Sequence, residues 1–366
     1  MGDTLGKIFK VTSFGESHGR CVGVVVEGCP AGLRVQEQDI QKELNRRKPR
    51  KNNLTTQRVE ADRLHIVSGV LNGCTTGAPI CMLIWNEDMD SAEYERIRST
   101  PRPGHADLTA HIRYGGYNDY RGSGRFSGRI TAGFVMAGAL AKQLLSQLEI
   151  VVAAHVVESA GIRAKQRNLT EIIEPASRDS LGCADPDASA KMAAAIRRAA
   201  RDGDSVGGMI ECISVNVPPG IGDPVFDTLE GDIAKALFAI PGIKAVEFGS
   251  GFSGSRMKGS ENNDPFTVIN GKIATETNNA GGILGGLSTG MPIVCRAAVK
   301  PTASIAKPQR TVDISKMKDT YLEVHGRHDP CIVPRAIPVV ESVVAIILAD
   351  HLTRSGHIQR VLNENG

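Results

Sequence analysis

The segment Gly69-Val-Leu-Asn-Gly-Cys-Thr-Thr-Gly-Ala-Pro-Ile80 returns as Gly282-Ile-Leu-Gly-Gly-Leu-Ser-Thr-Gly-Met-Pro-Ile293, with seven of the twelve positions identical. Upstream, Asp39-Ile-Gln-Lys-Glu-Leu44 resembles Asp232-Ile-Ala-Lys-Ala-Leu237; downstream, Gly124-Arg125 and Gly326-Arg327 each lead into a long apolar segment. Three matches in the same order describe a duplicated unit related by an internal pseudo-two-fold. Such a chain has no natural cut near its middle, because the halves share one core. We therefore expect a single domain over 1–366, with halves of about 1–150 and 205–353 joined by a connecting segment at 151–204.

Local patterns place elements in both halves. Residues 22–27, 209–217 and 293–299 have the β-branched content of strands. Residues 36–47 read as an amphipathic helix and 188–202 as an Ala/Arg-rich one. Segments 129–147 and 335–353 are apolar on nearly every face, which suits helices in the middle of a protein. The expectation is an α+β fold, a β-α-β sandwich with a central helical layer and sheets outside it. A doubly wound sheet would instead put helices outside.

Composition narrows the function. Forty Gly in 366 residues, with 18 Pro and no three-residue period, point to tight turns and close ligand approach rather than a fibrous or low-complexity chain. A net charge of +3 and 4% aromatics give neither the basic surface nor the stacking platform of a nucleic-acid binder. Eight scattered Cys contain no CxxC pair, so neither a disulfide scaffold nor a structural zinc site is signalled. The first residues carry no apolar signal region, and no uninterrupted apolar run approaches the ~18 residues of a membrane span. These features predict a cytoplasmic protein with reduced thiols, no metal, no nucleic acid and no membrane.

Several clusters carry chemistry. Gly15-Glu-Ser-His-Gly-Arg20 offers Ser17 and His18 on turn backbone, and His titrates near neutrality. Arg102-Pro-Gly-His-Ala-Asp107 presents His105 on irregular backbone, with His111 on a regular segment beyond it. Tyr120-Arg-Gly-Ser-Gly-Arg-Phe-Ser-Gly-Arg129 is a Gly-rich loop entering a helix N-terminus, where free N–H groups suit a phosphate. It lacks both the dinucleotide spacing and a Walker Gly-Lys-Ser/Thr ending. Lys300-Pro-Thr-Ala-Ser304 is a hydroxyl-rich turn suited to a phosphate monoester. Gly326-Arg-His-Asp-Pro330 sets an anion clamp beside a proton acceptor. Arg46-Arg-Lys-Pro-Arg-Lys51 reads as a cationic lid over an anionic ligand. Read singly, each cluster also fits a solvated turn. Together they describe a cleft for a phosphorylated anionic substrate and a phosphorylated cofactor.

These motifs, with Thr55-Thr-Gln-Arg58, Gly73-x-Thr-Thr-Gly-x-Pro79, Gly281-Gly-Ile-Leu-Gly-Gly286 and Gly326-Arg-His-Asp-Pro-Cys331, resemble the signatures of the chorismate synthase family, in order from about residue 5 to 353. The resemblance implies a homotetrameric β-α-β sandwich. It implies a lyase that converts 5-enolpyruvylshikimate 3-phosphate to chorismate by 1,4-anti elimination of phosphate, with reduced FMN (FMNH2) required and no net redox change. That reaction belongs to the shikimate pathway of aromatic amino-acid biosynthesis. By motif, His18 resembles the general acid at the leaving phosphate. His105 resembles the His beside the flavin N1/C2 carbonyl, and Asp329 the group that helps flavin N5 take the C6 proton. Ser17, Arg47, Arg102, Arg129 and Arg327 match substrate positions. Arg125, Phe126, Ser127, Pro241, Gly242, Gly285, Lys300, Pro301, Thr302, Ala303, Ser304 and Arg327 match flavin positions, and Arg47 and Asn53 are candidate contacts for NADP or an anion.

The chain departs from the family at Phe126, Gly128 and Ile130, where Ser, Ala and Glu are usual, at Asn53 for an Arg, and at Pro241-Gly242 for Asn-Ala. These departures motivate the alternative of a non-catalytic flavin- or phosphate-binding protein on the same scaffold. Without an evident reductase domain, reduced flavin is expected from an external reductase. Arg327 and His328 beside Asp329 predict an ionised carboxylate at neutral pH.

Overall fold

The computed structural model describes residues 2–48, 61–87, 90–166, 172, 176, 179–324 and 329–362. Two five-stranded sheets enclose a layer of helices. The first joins β1 (Thr4–Leu5), β2 (Lys10–Gly15), β3 (Cys21–Glu27), β4 (His65–Ile66) and β5 (Ile80–Trp85) in the order β1-β2-β3-β5-β4. The second joins β6 (Val151–Ser159), β7 (Ile162–Arg163), β8 (Gly208–Val215), β9 (Ile243–Phe248) and β10 (Ile293–Val299) in the order β9-β10-β8-β6-β7. Every pairing in both sheets is antiparallel. The strand period decides which face is covered: Val22, Val24 and Val26, Ile80, Met82 and Ile84, and Ile293, Cys295 and Ala297 all turn inward and are buried.

The named helices are α1 (Glu37–Arg47), α2 (Asp107–Tyr114), α3 (Thr131–Ser146), α4 (Pro186–Arg201), α5 (Leu229–Phe238) and α6 (Val333–Arg354). Each half runs through two long strands, a helix (α1 or α5), a glycine hairpin, a strand (β5 or β10) and a long apolar helix (α3 or α6). The repeated glycine segments form equivalent hairpins, Val70–Leu71 with Cys74–Thr75 and Ile283–Leu284 with Leu287–Ser288. The connector expected at 151–204 differs: its residues 151–159 form β6, which pairs with β8, so the second sheet begins at the end of α3. Its Val-Val-Ala-Ala-His-Val-Val run has strand propensity that the search for glycine repeats passes over.

Helices α3 and α6 form the central contact of the molecule. A Cβ on Gly138 would lie 2.1 Å from Cβ of Ser342, so the helices approach to backbone distance there. From Val333 to Leu352 only Arg335 escapes burial. That helix has the length and hydropathy of a membrane span, yet its apolar stretch is wholly buried inside the protein.

One charge cluster is set into this layer, with Glu341 buried and its cations half-buried. Glu341 of α6 accepts from Arg46 at 2.7 and 2.8 Å, from Lys142 and from the Ala154 N–H at 3.0 Å. Arg46 and Lys142 also hold Glu43. Arg46 is therefore an internal tie rather than part of a lid; one helical step separates its direction from that of Arg47. Burial pushes the Glu341 carboxyl up, but Lys142 and Arg46 outweigh burial and take it down to about 2. The ionised form is favoured in the folded state, so its stabilisation is present above the ordinary Glu value near 4.5. It fades as pH falls towards about 2. Glu341→Gln should cost about 1–3 kcal/mol in denaturant unfolding at neutral pH, because the half-buried Arg46 and Lys142 lose their shared partner and keep only Glu43. It should also flatten the pH dependence of stability between 4.5 and 2. Unchanged stability would show that the cluster contributes nothing net.

Candidate active site

Both central helices begin at one cleft of about 330 Å³. Its lining includes Gly128, Arg129 and Thr131 at the start of α3, and Ile332, Arg335 and Ala336 at the start of α6. Two helix N-termini with their positive ends on one cavity make an environment for anions. Four cations, Arg47, Arg129, Arg335 and Lys300, line it against two carboxylates, Asp62 and Asp329, among the described residues. Apolar side chains complete the lining: Phe126, Ile240, Pro241, Ile332 and Val339.

The cations are fixed by named partners. Arg47 at the end of α1 is buried and donates from Nη2 to Asp62 Oδ2 at 2.8 Å. Arg129 donates to the other Asp62 oxygen, and from Nε to Asn86 Oδ1 at 2.9 Å. Arg335 ion-pairs with Asp329 and donates to the Arg47 carbonyl at 3.2 Å. Burial lowers the Arg47 guanidinium below its usual range; Asp62 opposes this, and the charges of Arg335 and Arg129 reinforce it. Burial also pushes the Asp62 carboxyl up, but Arg47 and Arg129 prevail and hold it below the carboxylate range. The Arg47 Nε is buried without a hydrogen-bond partner among the described residues. The cationic, half-apolar lining fits a ligand that carries both a phosphate and an aromatic ring system.

His105 stands between this cleft and a neighbouring cavity of about 520 Å³. Its Nδ1 lies 2.7 Å from Asp107 Oδ1. Arg102 donates to the same carboxylate from Nε at 2.8 Å and from Nη2 at 2.7 Å, and its backbone N–H adds a third bond at 3.0 Å. Burial pushes Asp107 up, but bonds from Arg102 and His105 hold it well below the carboxylate range. An ionised Asp107 accepts the Nδ1 proton and leaves Nε2 as the nitrogen available to the cleft.

The structure brings together Ser17, Arg47, His105, Phe126, Ser127, Arg129, Pro241, Gly242, Lys300, Pro301, Thr302, Ala303, Ser304 and Asp329 around the one cleft. Four expected residues do not line it. The His18 ring is buried behind the wall, with Nδ1 2.8 Å from Ser91 Oγ and its edge against Tyr94. It packs on Gly122, where a Cβ would meet the ring at 2.2 Å. Arg102 lines the neighbouring cavity instead and braces the wall between the two, donating to Ser123 Oγ at 2.7 Å and Ser304 Oγ at 3.0 Å. The left-handed turn at Gly122-Ser123-Gly124 sends the Arg125 side chain backward to Asp3 at 2.6 Å and the Gly15 carbonyl at 3.1 Å. Gly285 sits at the tip of its hairpin. Arg327 and Asn53 lie outside the described residues.

Sequence reasoning passed over Asp62 and Arg335. Arg335 carried a signal: with Glu341 it is one of two charges in an otherwise apolar run from 332 to 349, and a lone charge in a buried helix needs a partner. Asp62 has no such mark.

The family model for chorismate synthase matches residues 9–353. The chain is similar to chorismate synthase of Dehalococcoides mccartyi, at 55% identity over the whole of both chains. It is 53% identical to that of Korarchaeum cryptofilum, covering 97% of this chain and 98% of the relative. Against that of Methanosarcina barkeri it is 52% identical, covering 98% of each. A crystal structure of chorismate synthase superposes with a TM-score of 0.76 at 30% identity, covering 96% of this chain and 93% of that one.

The Asp107 contact predicts a tautomer. In ¹⁵N-resolved NMR, neutral His105 should carry its proton on Nδ1, and Asp107→Asn should shift the population towards Nε2–H. An unchanged tautomer would remove Asp107 as the group that orients the ring.

Proposed function

The chain belongs to the chorismate synthase family, and from that premise we propose that this cleft binds 5-enolpyruvylshikimate 3-phosphate with reduced FMN and eliminates phosphate to give chorismate. The observation that carries the reading is the meeting of two helix N-termini, four cations and an apolar wall at His105 and Asp329. When bound, reduced FMN supplies electron density to the breaking carbon–oxygen bond and recovers it, so the reaction is redox-neutral. Phe126, Ser127, Pro241, Gly242 and residues 300–304 would hold it, with apolar surface for the rings and hydroxyl groups for the phosphate.

The protein's part is charge and proton management. The 1,4-elimination breaks the C3–O bond, releases phosphate and removes a proton from C6. Arg47, Arg129, Arg335 and Lys300 face the anions and stabilise charge growing on the departing phosphate. Asp329 assists the removal of the C6 proton; its partner Arg335 keeps the carboxylate in place. His105, oriented by Asp107, holds a proton at Nε2 or releases it as charge in the cleft changes. By motif His18 is the proton donor to the leaving phosphate in this reading; its ring packs on Gly122, which with Ser17 lines the cleft.

Reduced flavin comes from an external reductase, so oxidised FMN with NADPH and this protein alone should give no product. Copies of the chain assemble as a homotetramer; exposed apolar residues Ile112, Tyr114 and Tyr117 near α2, and Phe266, Val268 and Ile273 on a surface hairpin, support such contacts. A cytoplasmic location is supported by eight cysteines that are all free thiols.

An anaerobic assay with the substrate and chemically reduced FMN tests the reading by following chorismate and phosphate together. The wild type should turn over, and Asp329→Asn should lower kcat by roughly 10²-fold or more while flavin still binds. Arg47→Ala should raise KM more than it lowers kcat, because a clamp on an anion acts in the ground state too. A folded wild type that binds both ligands without turnover would favour the non-catalytic alternative, and undiminished turnover by Asp329→Asn would remove that carboxylate from the mechanism.

A further inference from the structure

We propose that Asp62 is the positioning residue of the anion site: its buried carboxylate holds Arg47 and Arg129 side by side so that one phosphate or carboxylate of the ligand meets both. The inference rests on the reading of the cleft above. Asp62 is 3% exposed and sits at φ +46°, a left-handed conformation that Asp and Asn accept better than most side chains. One carboxylate oxygen takes Arg47 and the other takes Arg129. Arg129 is also fixed through Nε by Asn86, while Arg47 keeps a buried Nε without a partner among the described residues. All three groups line the cleft. Without the carboxylate, two adjacent buried guanidiniums repel and draw apart. With it, their outer donors stay in register for a single anion, and the charge left over is still positive.

The proposal has a sign that simple electrostatics does not share. A carboxylate beside an anion site lowers the local positive potential, so charge alone predicts that removing it tightens anion binding. Positioning predicts the reverse. Loss of one aligned charge-assisted hydrogen bond corresponds to roughly a tenfold weakening or more.

The test is calorimetric titration of the full-length protein with inorganic phosphate, which needs no turnover and so stands apart from the assay above. Asp62→Asn keeps the shape and tolerates the same backbone angle. It should weaken phosphate binding about tenfold or more, as should Arg47→Ala. The double variant should be little worse than the weaker-binding single, because both act on one arrangement. Tighter binding by Asp62→Asn, or fully additive losses in the double variant, would overturn the proposal. Should Asp62→Asn fail to fold, Asp62→Glu keeps the charge but displaces it by one methylene. Weakened phosphate binding then supports positioning, and wild-type affinity refutes it. A wild type that binds phosphate but forms no chorismate contradicts the functional reading alone; a wild type that binds no phosphate contradicts this proposal.

Discussion

Backbone-distance packing of α3 on α6 at Gly138 and Ser342 sets the geometry of everything around it. Two helices this apolar cannot face water, so each takes a sheet over its outer side. The duplicated units supply one sheet apiece. Because both helices begin at the same cleft, their positive ends converge there. The proposed anion site is thus a consequence of how the duplicated units share their core.

Converging positive charge also creates a cost, since buried cations without counter-ions destabilise a fold. The protein meets it with carboxylates placed one by one. Glu341 answers Arg46 and Lys142 inside the helix layer, Asp62 answers Arg47 and Arg129, Asp329 answers Arg335, and Asp107 answers Arg102. The neighbouring residues Arg46 and Arg47 illustrate the division: one step along α1 sends the first, half-buried, to Glu341 of α6 and the second, buried, to the cleft. The partners of the cleft cations are also the groups that orient them, so stability and ligand binding draw on the same contacts.

Much of this was legible in the sequence where a period or a repeat carried it. The glycine repeats mark equivalent hairpins, and the all-apolar runs mark α3 and α6 within two residues of their ends. What was not legible depended on direction. A run of cations does not reveal that Arg46 points inward, and Arg102 in its turn looks free until Asp107, five residues on, is seen to bind it. Strand β6 was read as part of a connector because the glycine signature of each unit lies downstream of its first strands. Asp62 reaches its two arginines only through tertiary structure. Asp329 takes Arg335, six residues further along the chain, a pairing that sequence order does not mark; its neighbours Arg327 and His328 lie outside the described residues.

The central claim is that the converging N-termini of α3 and α6, with the cations held there, are where the phosphorylated ligands bind. A crystal structure of the protein with oxidised FMN and 5-enolpyruvylshikimate 3-phosphate measures this most directly. The account predicts the substrate's phosphate or carboxylates within hydrogen-bond distance of Arg47, Arg129 or Arg335, and flavin against Pro241 and the 300–304 turn. Ligands seated instead in the neighbouring 520 Å³ cavity, with the three arginines still paired only to their carboxylates, would contradict it.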